Sequence, residues 1–401
     1  MTLVTAQQTQ HSTSIPRPSM DEVLVPGLMA RALDQQYRKG FCDFVDTVFP
    51  NIYYSYSTRV ELPWFDIVHG EQCTGKALDW GVRSLGAFQL GKASGKQEQI
   101  LTSQEMYGRG LRHLVQSLKS SAAASTDATL GAAILLGVYE LMNATADKSW
   151  LLHSRGISHL FQLRGAKGHT RGFGRTLLLS FRGLLVFEAF TRGEPCFLET
   201  EEWRSILPQV LEDEERRGRS CRLGQLMDFA FNEIAQCPGY LVKTKVLVGS
   251  SRAAEAEREN LICAVNKSRE ILSDVETQML AGIKADLEGN EKESREFFGL
   301  IPSWIKDDSV RFSVEGVRSG LALLRQLSVV LSADQTRQKS VSPWLTLGPN
   351  HNEWEVVKDT DQLARLTQER SRLHLMGPRQ QSSGKLWHDR IALSMGMPEK
   401  G

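Results

Sequence analysis

"SWLLHSRGISHLFQLRGAKGHTRGFGRTLLLSFRGLLVFEAF", residues 149–190, reads as two helices joined by a glycine-rich turn. Ser149 is a capping residue, and Trp150, His153, Gly156, Ile157 and Leu160 recur at helical spacing on one face. Gly165 stands where a left-handed residue ends a helix. This face places Gly156 on the buried side. Glycine in mid-helix costs about 1 kcal/mol relative to alanine, so a second helix approaching closely there is the expected compensation. "GAKGHTRG" (165–172) forms the turn, and a second apolar helix runs from near Gly174 to about Phe190.

The same stretch raises a question of charge. Residues 151–187 contain no aspartate or glutamate, yet carry Arg155, Arg164, Lys167, Arg171, Arg175 and Arg182. One use for them is an anion held at the amino end of the second helix, with Arg171 and Arg175 beside it. The other is structural: Arg164 meets the carboxyl end of the first helix, and the rest face solvent or acids from elsewhere in the fold. Packing and orientation are the expected use.

Working outward, helical periodicity dominates. Thr126-Asp127 caps "ATLGAAILLGVYELM", which is apolar almost all round and is expected to be a central, fully packed helix. Leu78, Val82, Leu85 and Phe88 form one stripe, and Ile100, Tyr107, Leu111, Leu114 and Leu118 form another. A long helix is expected from about Ala253 to Leu287, and a further one through Val314, Val317, Leu321, Leu324, Leu327 and Leu331. "EDEERRGR" (212–219) reads as a solvated helix end. Residues 332–343 read as a loose connection, and a capped helix is expected from Asp359 to Gly377-Pro378. The fold class is all-α: stacked antiparallel helix hairpins forming one large helical domain over residues 20–401, after a disordered tail at 1–19.

Composition narrows the function. The chain has 401 residues, 48 basic and 47 acidic, for a formal net charge of +1. A surface built throughout to bind polyanions would be far more basic. The longest apolar runs, such as "AAILLGVY" (132–139), fall well short of the roughly 18 residues of a membrane span. No basic start followed by an apolar block opens the chain, so the six cysteines are expected as free thiols in a reducing compartment.

Chemistry-bearing motifs are absent. Cys42, Cys73, Cys196, Cys221, Cys237 and Cys263 are dispersed, and the closest two are 16 positions apart, so none has structural-zinc spacing. All six are expected to be buried. His153 and His159 are six apart and belong to different helix faces. His153 is expected to be a hydrogen-bonded core histidine, and the sequence identifies no nucleophile or carboxylate partner for it. Neither phosphate-loop nor dinucleotide glycine pattern occurs. No enzyme, catalytic residue, cofactor or metal site is assigned.

A family resemblance adds what periodicity cannot. "YGRGLRHLVQSL", "DATLGAAILLGVYELM", "SWLLHSRGISHLFQLRG", "LLLSFRGLLVFEAF" and "FLETEEW", from Tyr107 to Trp203, resemble the central region of fungal-specific transcription factors. That regulatory domain commonly follows a zinc binuclear cluster. Tyr139-Glu140, the Trp-x-x-His-x-x-Gly of 150–156 and Arg164-Gly165 carry the match, and "LWHDRIALSMGMPE" resembles the family's closing helix. The resemblance implies an all-helical regulatory domain, nuclear localisation, and control of a metabolic or secondary-metabolite gene set. The cysteine spacings exclude the zinc cluster from these 401 residues. Partner proteins, either a DNA-binding transcription factor or the transcription machinery, are therefore expected to supply promoter contact, with a small-molecule effector as a further partner. The alternative is a helical protein-interaction or small-molecule-binding module with no direct role in transcription.

Overall fold

In a computed structural model the protein is described over residues 20–70, 75–143, 149–248 and 255–332. The expected tail, the loose connection beyond residue 332, the helix from Asp359 and the closing segment lie outside the described residues. The helices are α1 (Met20–Val48), α2 (Pro50–Tyr56), α3 (Trp64–His69), α4 (Lys76–Ser94), α5 (Gln97–Leu118), α6 (Ser121–Ala124), α7 (Asp127–Asn143) and α8 (Ser149–Arg164). They continue with α9 (Gly172–Arg192), α10 (Glu201–Arg204), α11 (Leu207–Arg216), α12 (Arg222–Ile234), α13 (Cys237–Val248), α14 (Glu255–Leu287), α15 (Glu291–Phe298) and α16 (Lys306–Ser332). No strand occurs among the described residues, and the fold is all-α.

Helix α7 is the axis of the first half. Thr126 Oγ1 accepts the Thr129 N–H at 3.2 Å, satisfying an otherwise orphaned donor of the first turn. Every residue from Thr129 to Glu140 is buried. Such a helix survives only when neighbours cover it on all sides, and α4, α5, α8 and α9 do so. The stripe of α4 is buried as the periodicity requires, whereas on α5 Leu114 is buried but Leu118 is exposed. In the second half α14 and α16 pack along each other, with α12, α13 and α15 around them. Arg258, Leu261, Val265, Leu272 and Val275 form the buried face of α14.

Close helix approach does occur, but not at Gly156. A Cβ on Gly156 would meet nothing within 4 Å, and the residue faces solvent. The buried stripe of α8 is turned toward Ser154, Ser158 and Phe161. Hydrophobic patterning does not count small serines, so it drew the stripe too far toward Gly156. The glycines that bring helices together are Gly40 on α1 and Gly86 on α4. A Cβ on Gly86 would stand 1.9 Å from the Tyr37 carbonyl oxygen, and one on Gly40 would stand 2.6 Å from the Gly86 oxygen.

Candidate functional site

The turn between α8 and α9 begins at Gly165, whose φ of 71° suits glycine, and continues as a short 3₁₀ segment, Ala166–His169. Glu202 Oε1 accepts the Ala166 N–H at 3.1 Å, fixing the turn against α10. His169 is fully buried, with its Nδ1 2.9 Å from the Gly174 oxygen and its ring 4.8 Å from Phe161 and 5.4 Å from Trp203. Burial pushes its imidazole down to about 4, and the Arg164 and Arg175 charges push the same way against the Gly174 hydrogen bond. Helix α9 then starts at Gly172, two residues earlier than periodicity placed it.

The acid-free stretch finds its acids far away in sequence. Arg164 Nη2 donates to Asp127 Oδ1 at 2.5 Å, at the start of α7. Arg175 Nη2 donates to Asp228 Oδ2 at 2.8 Å and to Glu214 Oε1 at 3.3 Å, while Arg182 Nη1 reaches Asp228 Oδ1 at 2.6 Å. Arg59 completes the group: its Nη2 lies 2.5 Å from Asp228 Oδ2 and 2.8 Å from Glu214 Oε2, and its Nη1 donates to the Gly224 oxygen at 3.1 Å. Gly224 is required here, because a Cβ would sit 2.7 Å from the Arg59 Cδ. Burial alone would raise the Asp228 carboxyl, but Arg59, Arg182 and Arg175 override it and hold the group well below the usual carboxylate range.

This cluster corrects one sequence reading, the solvated end at 212–219, and agrees with another, since Arg175 and Arg182 meet acids from elsewhere in the fold rather than holding an anion. Glu214 belongs to "EDEERRGR" yet is buried, so the segment is not simply a solvated helix end. Its register on α11 turns one carboxylate inward, while the flanking Arg216 and Arg217 pair with Asp213 outside. Arg175, considered as an anion ligand beside Arg171, points into the interior, whereas Arg171 stands exposed at the surface. A polar pocket of about 170 Å³ adjoins Arg171, lined also by Thr170, Gln209, Arg216 and Asp213. The Asp213 carboxylate inside it opposes an anion, and Arg171 and Arg175 are not brought together as an anion site.

His153 has partners that the sequence did not reveal. Its Nε2 lies 3.3 Å from the Tyr107 hydroxyl, and Glu140 is close enough to raise its pKa against the larger lowering effect of burial. Tyr107 stacks on Tyr139 at 4.7 Å, and Tyr139 hydrogen bonds Ser103 at 2.8 Å. The group joins α5, α7 and α8 by hydrogen bonds and ring contacts. The cysteines also depart from expectation. Cys196, Cys221 and Cys237 are buried, Cys42 is half-buried, and Cys263 is exposed because it falls on the outer face of α14. Cys73 lies outside the described residues. Among those residues no group of three or more metal-ligating side chains assembles, and no helix is long and apolar enough to cross a membrane.

An apolar cavity of about 60 Å³ lies between α1 and α2 on one side and α7 and α9 on the other. Seven of its fourteen lining residues are aromatic, six are aliphatic, and the remaining one is Ser180. No local pattern pointed to it, since the lining rings are scattered from Phe41 to Phe181.

Helical packing of this kind, with an apolar α7 sheathed by its neighbours and the Trp150-to-Arg164 helix beside it, invites comparison with known proteins. Residues 41–231 match the fungal specific transcription factor domain. Over 324 residues the chain is 28% identical to the uncharacterized protein AN5342 of Emericella nidulans, a match that spans 80% of this chain and 69% of that protein. No solved structure matches the chain. All five members of the charge cluster, from Arg59 to Asp228, fall within the matched segment. So does every residue lining the aromatic cavity, from Phe41 to Leu184. Helices α13 to α16 pack beyond the matched segment.

Proposed function

We propose that this protein is a nuclear regulator of transcription, acting on a metabolic or secondary-metabolite gene set and brought to promoters by a DNA-binding partner. The match to the fungal specific transcription factor domain over residues 41–231 carries the transcriptional part. The fate of the basic stretch supports the partner-dependent part. Three of its six cations are committed to carboxylates of the fold: Arg164 to the part-exposed Asp127, and Arg175 and Arg182 to the buried Asp228. Guanidiniums turned inward and held by the fold's own carboxylates are not presented to phosphates, whose neutralisation by surface cations is the main source of affinity for a duplex. The net charge of +1 and the dispersed cysteines point the same way.

Chromatin immunoprecipitation of the tagged protein, paired with transcript profiling of a deletion strain, tests this reading. Enrichment at a discrete set of promoters whose transcripts change on deletion is the expected result, and enrichment should vanish when the partner is removed. A tagged protein confined outside the nucleus, with no promoter enrichment, would overturn it.

A further inference from the structure

The walls of the 60 Å³ cavity include no Asp, Glu, Lys, Arg or His. A charged guest would lose its hydration with no ion to compensate. An aromatic guest would gain edge-to-face and offset contacts from Phe41, Phe44, Tyr53, Trp64 and Phe181. Among the lining residues only Phe49, Ile52 and Ser180 are partly exposed, which marks the side on which the cavity opens. Ser180 Oγ donates to the Leu177 oxygen at 3.1 Å and is also hydrogen bonded with the Tyr56 side chain, so the one polar group of the wall is already engaged and the lining favours an apolar guest.

Size decides how such a guest enters. An engineered apolar cavity that takes benzene measures roughly 150 Å³, more than twice the volume found here. A ring therefore fits only if the mouth widens. Two of the mouth residues, Phe49 and Ile52, sit at the start of α2, a helix of seven residues. It packs against α1, α9, α16 and the turn before α16, and Tyr54 donates to Asp46 Oδ1 at 2.9 Å, so a ring that widens the mouth must shift these contacts. Tyr53 stacks on Phe65 at 4.1 Å, and Tyr54 stands edge-on to Trp304 at 4.9 Å. Trp304, which precedes α16, is 64% exposed. Just after α2, Arg59 anchors the chain in the charge cluster.

We propose that this cavity binds a small, uncharged aromatic molecule, and that the bound ring displaces α2 and with it the Tyr54–Trp304 contact. Filling the cavity and moving α2 are then one event, because the closed volume is too small for a ring. Ligand entry is thereby linked to the segment that joins the two halves through Arg59 and Trp304. Occupancy of the cavity requires nothing of the transcriptional role, so either can fail without the other.

The test uses the purified full chain with toluene as the probe and benzoate as a charged control. Toluene should raise the melting temperature by a few degrees in a saturable manner, as expected of a ligand that binds only the folded state. It should also change the part of the tryptophan emission that is lost in Trp304→Phe, and benzoate should do neither. Ile52→Trp, which blocks the mouth at a partly exposed position, should weaken the toluene response by about tenfold or more, and Val138→Phe, which fills the cavity from α7, should do the same. Absence of a saturable toluene effect, or an undiminished effect in a folded blocking variant, would overturn the site. Saturable binding with no change in the Trp304 emission would overturn the coupling to α2.

Discussion

Arg59 and Asp228 are 169 positions apart in sequence and 2.5 Å apart in space. They belong to a cluster of three arginines and two carboxylates, all buried except the part-buried Arg182, with a formal charge of +1: three for Arg59, Arg175 and Arg182, less two for Glu214 and Asp228. Losing a carboxylate should therefore harm the fold more than losing an arginine. Asp228→Asn leaves the cluster at +2 and should cost about 3–5 kcal/mol, the range for an uncompensated buried charge. Arg175→Met brings it to zero and should cost less, helped by an Nε that has no partner to lose. Urea unfolding of the two variants gives the comparison, and an Arg175→Met penalty equal to or above that of Asp228→Asn would contradict the arithmetic.

Gly156 and Gly86 should respond to alanine with opposite signs. At Gly156 the space is open, so Gly156→Ala should stabilise by up to about 1 kcal/mol through helix propensity alone. At Gly86 the new Cβ would overlap the Tyr37 carbonyl, and α1 would have to move off α4. Overpacking of that kind costs about 1–3 kcal/mol or more. Thermal melts of both variants settle it, and a Gly86→Ala protein as stable as the parent would show that α1 does not approach α4 this closely.

Acid sensitivity should begin near neutrality. The folded value of about 4 for His169 lies below its ordinary 6.5, so the unfolded chain takes up the proton first as pH falls. Stability present above pH 6.5 is then lost between 6.5 and 4, by roughly 3 kcal/mol from this residue. His153, also lowered by burial, acts in the same direction. Asp228 is held below the carboxylate range, so the stability it contributes is lost only below about pH 4. His169→Phe keeps a ring between Phe161 and Trp203, and should flatten the dependence of stability on pH between 6.5 and 4. A slope equal to that of the parent would place the acid sensitivity elsewhere.

The exposed cations of the turn should be dispensable for folding. Lys167 and Arg171 are exposed and make no ion pair among the described residues. Lys167→Ala with Arg171→Ala should leave stability within about 0.5 kcal/mol of the parent. A large loss in chemical denaturation would mean that these cations have internal partners after all.

What the sequence revealed follows from the range of the forces involved. The course of α7, α8 and α9 was legible because burial leaves a periodic trace in neighbouring residues, and Thr126 and Gly165 mark helix ends locally. The charge cluster left no such trace. Its pairs are separated by 39 to 169 positions, and Glu214 was masked by the charged residues on either side of it. Gly156 misled for a related reason: the serines that share the buried face of α8 look polar in a pattern that scores only apolar side chains. The cavity was invisible because it is defined by volume left between α1, α2, α7 and α9, and no local pattern records a volume.

The cations Arg164, Arg175 and Arg182 of the basic stretch are spent inside the fold, and on the proposed function promoter contact comes from another protein. A mobility-shift titration of the purified chain, at physiological salt, on duplexes from a promoter it occupies tests this most directly. The expected result is binding no tighter than the roughly micromolar affinity of nonspecific contact, similar on promoter and scrambled duplexes. Tight, sequence-selective binding that disappears in the folded Lys167→Ala, Arg171→Ala variant would contradict the account and make the turn before α9 a DNA-contacting site.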